Sequence, residues 1–180
     1  MFTVPGRPSR WQRPGQGVHP KTGRPMRFTD KKAEAGKKVI AQHARIAWKG
    51  PPAAGPVILR VVAIFRIPVS WPAALKDEAC QARVMHVGDP DLDQLVKQVQ
   101  DALVGIVYHD DNQVCGYPNT AKRYGHPERT EITVEVLEQP EAAKTPGQRR
   151  LEALPAPRAL LPGPRRRGPG ANRIKSGSRS

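Results

Sequence analysis

The sequence predicts an α+β domain, a small mixed sheet packed against two main helices, followed by a disordered basic C-terminal tail. Three observations carry this. Residues 56–69, PVILRVVAIFRIPV, form a β-branched run charged only at Arg60 and Arg66, the pattern of a central strand covered on both faces. In residues 91–105, DLDQLVKQVQDALVG, the side chains Leu95, Val96, Val99, Ala102 and Leu103, with Ile106 beyond, fall within an arc of about 120° at helical spacing. From Gln139 the pattern collapses into Pro, Gly, Arg and Ala, a composition that cannot bury enough apolar surface to offset its ordering entropy. The folded domain is thus expected over 1–138 and the tail over 139–180.

Taken in order, residues 2–4 predict a short strand ended by Pro5-Gly6. Residues 5–28, rich in Gly, Pro and Arg, predict an extended basic arm or loop. Thr29 or Asp30 starts a helix, since either side chain accepts an orphan amide hydrogen bond. The helix runs to about Trp48 with Ala33, Val39, Ile40, Ala44 and Ala47 toward the core, and Gly50-Pro51-Pro52 stops it. A polar connection over 70–90 holds a short helix around 73–82. Two more strands follow, over 113–123 and 130–137, with a turn at Gly125-His126-Pro127. In the second, Ile132, Val134 and Val136 alternate with Glu131, Thr133 and Glu135, as in a half-buried strand. Residues 151–161 can form a transient helix.

A chain of 180 residues predicts one domain with a modest core. The 20 prolines concentrate toward the ends, so the folded unit is smaller than the chain. No apolar run reaches the roughly 18 residues of a membrane span, and the first residues lack the apolar region of a secretory signal. Cys80 and Cys115 have no metal-like spacing and read as reduced thiols in a cytoplasmic protein, a disulfide being the weaker reading.

Charge is unevenly spread. Residues 1–50 carry 12 Lys/Arg against 2 Asp/Glu, residues 139–180 carry 10 against 2, and residues 51–138 carry 8 against 12. Six aspartates fall within 89–111, and only Lys97 offsets them there. Basic chains attract polyanions. A carboxylate cluster inside one repels those polyanions unless a hard divalent cation sits between. The charge map therefore suggests metal-dependent chemistry on nucleic acid.

On the predicted helix over 91–105, Asp93, Lys97 and Asp101 form a row at i, i+4 and i+8, away from the apolar stripe. Asp91 lies just before the helix, where Pro90 and acids of the first turn suit an N-terminus. A solvated ion-pair row is the common meaning of such spacing. Here a second acidic patch, Asp110-Asp111, follows the helix, although adjacent aspartates also form turns. Together the patches offer the carboxylates that phosphodiester cleavage at a metal requires.

These residues resemble the RusA family of Holliday junction resolvases: Asp91-Leu92-Asp93 with Lys97, Asp101-Ala102-Leu103, Asp110-Asp111-Asn112-Gln113-Val114, then Lys122-Arg123-Tyr124. The similarity is close over about 86–137 and looser back through the first helix and the 56–69 strand; the tail lies outside it. It implies a RusA-like fold and Asp91, Asp93 and Asp111 as metal-binding carboxylates. It further implies Lys97 as the catalytic lysine and Mg2+ as cofactor, with Mn2+ as a substitute. Asp101 and Asp110 are left to orient a ligand or to hold Lys97. One departure stands out: Gln94 replaces the family's Asn, keeping the amide but adding a methylene of reach.

The implied partner is branched DNA, a four-way junction, cut by a homodimer because two symmetric nicks need two sites. The family's frequency in phages and prophages places the expected setting in a bacterial or phage-infected cell. Candidate phosphate contacts are Arg7, Arg10, Arg13, Lys21, Arg24, Arg27, Lys122 and Arg123, with Arg165-Arg166-Arg167 adding non-specific affinity. Trp11 or Phe28 either stacks on an exposed base or, the favoured reading, packs under the arm. His109 and His86 lie beside acids but read as structural, since hard cations favour oxygen ligands. Asp89 reads as a loop acid ahead of Pro90. The rival readings are a nuclease of broader flap or fork specificity, a non-catalytic branched-DNA-binding protein, and a basic structural protein of ribosomal type.

Overall fold

The computed structural model describes residues 1–28, 30–140 and 149–150. In chain order these form β1 (Phe2–Pro5), β2 (Gly15–Val18), β3 (Pro25–Phe28), α1 (Lys31–Ala47), β4 (Val57–Arg66) and α2 (Ala73–Cys80). Next come α3 (Leu92–Leu103), a 3-10 turn (Asp111–Gln113), β5 (Val114–Gly116), β6 (Ala121–Gly125) and β7 (Arg129–Val136). The fold is α+β with a mixed sheet, as expected, and β2 and β3 form a separate two-stranded sheet.

β4 is the spine of the sheet. It pairs antiparallel with β7 from Val57↔Val136 to Ile64↔Arg129, and β7 carries β1 antiparallel on its far side. The other edge of β4 takes β5 and then β6, both parallel. The sequence predicted one strand over 113–123, and the structure divides it. Pro118 has no N–H to donate, and Asn119 adopts φ 53°, so the ladder cannot continue. Thr120 fills the gap: its hydroxyl accepts from the Val61 amide at 3.1 Å.

Odd-numbered residues of β4, among them Leu59 and Val61, face α1 and α3 in a core with Ile40, Ala44, Val99 and Leu103. α1 begins at Asp30, whose carboxylate accepts from the Ala33 amide at 2.8 Å; Thr29 lies outside the described residues. Its buried residues are Ala33, Ile40, Ala41 and Ala44. The expected inward Val39 and Ala47 are instead exposed, because the true stripe passes through Ile40 and Ala41 and leaves Val39 one step, about 100°, off its centre. α3 buries Gln98 beside the predicted Leu95, Val99, Ala102 and Leu103, and its amide donates to the Ala33 carbonyl at 2.5 Å.

The arm over 5–28 is more ordered than its composition predicts, because β2 and β3 pair as a hairpin. His19 builds the connecting turn: Nδ1 accepts from the Lys21 and Thr22 amides, each at 3.3 Å, and its carbonyl accepts from Gly23. β2 is largely exposed and needs no apolar alternation, so the sequence gives no periodic signal there. Further in, Ser9 presses on α1 where only Gly36 leaves room.

Cys80 and Cys115 are both free thiols. Among the described residues no helix is long and apolar enough to cross a membrane. The expected disordered tail, including the transient helix over 151–161 and Arg165-Arg166-Arg167, lies almost wholly outside the described residues.

Candidate active site

The site is built where α3 starts and where the chain returns after it. Asp91 is the N-cap residue, extended at φ −65° and ψ 150°. Among the described residues its carboxylate caps no amide; it accepts from the side chain of Gln94, the residue that replaces the family's Asn, at 3.3 Å. The loop before it is tied down from β6, where Lys122 Nζ donates to the Gly88 and Pro90 carbonyls, 2.8 Å each. Asp93 lies exposed in the first turn, in a cleft shared with Lys97, Arg13, Trp11 and Tyr117.

Past α3, Asp110 caps the 3-10 turn, accepting from the Asn112 amide at 2.8 Å. Gln113 anchors that turn. Its Oε1 accepts from the His109 and Asp110 amides at 2.8 and 3.0 Å, and its Nε2 donates to the Ala53 and Gly55 carbonyls at 2.7 and 2.8 Å. Asp111 is thereby held against α3, where Lys97 Nζ reaches it at 3.3 Å and Asp101 at 3.1 Å. The predicted row and the predicted second patch are brought together through that lysine. Asp101 holds Lys97, and Asp110 shapes the turn.

The bond to Asp101 does most to push the Lys97 ammonium pKa up; burial opposes it, and the charge of Asp101 and the bond to Asp111 add to the rise. Lys97 is thus a fixed cation at neutral pH. Tyr117, absent from the expected site, stands beside this pair; burial and then the Asp111 carboxylate raise its phenol pKa, and Lys97 opposes them. The expectation of a continuous strand hid Tyr117, whose loop exists only because the strand breaks.

Of the expected DNA contacts, Arg13 borders the Asp93 cleft. Arg10 is paired with Asp89 at 2.6 Å, so Asp89 is an arm anchor as well as a loop acid. Lys122 holds the loop described above, and Arg123 Nε is buried without a partner among the described residues. Arg7, Lys21 and Arg24 are exposed, and Arg27 lies on β3 opposite Gln16. The Trp11 amide donates to the Gln94 carbonyl at 3.0 Å, laying the arm on α3. His86 stacks on Phe65 with ring centroids 4.0 Å apart, a structural place.

As a metal centre, Asp91, Asp93 and Asp111 offer the hard oxygen donors that Mg2+ takes. Among the described residues no three His, Cys, Asp or Glu side chains gather closely enough to hold one ion. Asp91, Asp93 and Asp111 are therefore not gathered into one three-ligand group among the described residues.

A family model described as "Endodeoxyribonuclease RusA" matches residues 5–135. The matched span holds every carboxylate named above and stops short of the basic tail. No curated protein matches the chain.

Proposed function

We propose that this chain, which belongs to the endodeoxyribonuclease RusA family, is a Mg2+-dependent endonuclease that resolves four-way DNA junctions by paired symmetric nicks. The observation that carries the reading is the Lys97–Asp111 contact at 3.3 Å, which joins the acidic turn after α3 to the row that bears Asp93. Asp93 with Asp91 or Asp111 would hold the ion. Bound there, Mg2+ supplies polarisation of the scissile phosphate and a water acidic enough to attack near neutral pH.

The chain's own side chains do the rest. Lys97 presents a permanent positive charge to the phosphate oxygens as negative charge builds on them, and Asp101 keeps it aimed. Gln113 keeps Asp111 in place. Arg13 and the arm contact phosphates, which position a branched duplex without reading its sequence. Two opposed cuts call for two such sites, met by a homodimer with two-fold symmetry.

The test compares Mg2+-dependent cleavage of a mobile four-way junction with cleavage of linear duplex, flap and fork of equal length. Strong preference for the junction is expected. Equal cutting of flap and fork would replace the reading with a broader nuclease, and binding with no cutting would replace it with a non-catalytic binder.

A further inference from the structure

Between α1 and α3 runs an open groove of about 990 Å3. Small residues, Ala33, Ala41 and Ala102, keep it open. One wall is basic, formed by Lys37, Lys38 and Arg45, and the other carries Asp101 and Asp111. Lys38 is paired with Glu34 at 3.1 Å, but both side chains are more than half exposed, so the pair is weak and exchangeable. Lys37 and Arg45 have no carboxylate partner among the described residues. None of the three is used by the core, since all are exposed.

We infer that this basic face of α1 is a track for the sugar-phosphate backbone of one DNA arm, delivering a strand to Asp111. The inference rests on the nuclease reading above and names a surface which that reading leaves unassigned. From Lys37 to Arg45 the helix advances about 12 Å, at 1.5 Å per residue. That equals the axial advance of three to four phosphates of one strand, at roughly 3.4 Å each. A polyanion lying in the groove is attracted along the α1 wall and repelled at Asp101 and Asp111, except where Lys97 or a bound cation offsets those carboxylates. The flanking phosphates therefore settle over α1, and the strand meets carboxylates only at the point where cutting would occur. A protein ligand with acidic side chains would gain from the same wall, but it has no regular charge spacing to match the helix.

The test is a salt titration of junction binding, by fluorescence anisotropy without Mg2+, using the full chain and its K37Q/K38Q/R45Q variant. Each lost phosphate contact lowers the slope of log K against log salt by about 0.9, so the variant should be shallower by 2 to 3, roughly. The matched variant R60Q/R66Q/K76Q removes the same charge from β4 and α2, at positions that do not line the groove, and should keep a slope near wild type. An unchanged slope in the groove variant, or an equal loss in the matched one, overturns the inference. Should the triple variant unfold, Lys37→Gln and Arg45→Gln singly are each expected to lower the slope by about 1. Wild type is assayed alongside for Mg2+-dependent cutting: failure there removes the nuclease reading, while the binding slopes still decide the groove.

Discussion

Lys97 and Asp111 meet at 3.3 Å although 14 residues separate them. The lysine also pairs with Asp101 at 3.1 Å, one helical turn along. One cation thus joins the helix that carries Asp93 to the turn that carries the second acidic patch.

Replacing Lys97 by Met should lower the cleavage rate by about 100- to 1000-fold, the usual loss when a charge-stabilising donor is removed. Stability should change by less than about 1 kcal/mol, because both pairs are partly exposed. The raised pKa fixes the sign of the pH effect. The folded chain keeps its proton more tightly than the unfolded one, so the pairing is fully present below the unfolded value of about 10.4 and is lost only above it. A pH–rate profile should therefore show no Lys97 limb between pH 6 and 9, roughly; one that vanished in Lys97→Met would contradict this role.

Gln113 spends its whole amide on four backbone groups. In Gln113→Leu those part-buried groups lose their partners, and a loss of about 1–3 kcal/mol is expected in urea unfolding. Cleavage should fall as well, since Asp111 then has no anchored turn. Unchanged stability would show that water replaces the amide at no cost.

The resemblance named Gln113 by position, and only the coordinates give its work. Other features follow the same division. The 56–69 strand and the helix over 91–105 were legible because burial imposes a period that a single sequence displays. The break at Pro118-Asn119 depends on how β4 pairs, and the β2–β3 hairpin depends on His19 closing a turn; neither leaves a period. The row Asp93, Lys97, Asp101 was readable from helical spacing. That Lys97 reaches Asp111 was not, because the return of the chain to α3 is a tertiary event.

His86 predicts an acid-sensitive fold. Burial against Phe65 and Tyr124 lowers its pKa most; Lys122 and Arg7 lower it further, while its backbone hydrogen bond and Asp89 oppose them. The unfolded chain then binds the proton more readily, so stability is full above about pH 6.5 and is lost as pH falls below it. His86→Phe keeps the stacking and should flatten the melting temperature between pH 7 and 5, roughly. An identical acid loss in the variant would assign it to carboxylates elsewhere.

At Gly36 a side chain would run into Ser9 and crowd the Gln98 amide, 3.3 Å away. Gly36→Ala gains about 1 kcal/mol of helix propensity. The collision should outweigh that gain, lowering the melting temperature and loosening the arm that carries Arg10 and Trp11. A raised melting temperature with unchanged junction affinity would mean that the arm's seat on α1 is dispensable.

The central claim is that carboxylates on either side of α3 act together on a DNA phosphate through a divalent ion. Its most direct measurement is a paired-nick assay on a synthetic four-way junction, with and without Mg2+, for wild type and Asp93→Asn. Wild type should cut two opposed strands only with Mg2+, and Asp93→Asn should bind the junction as well but leave it intact. Mg2+-dependent cutting by Asp93→Asn at the wild-type rate would contradict the account.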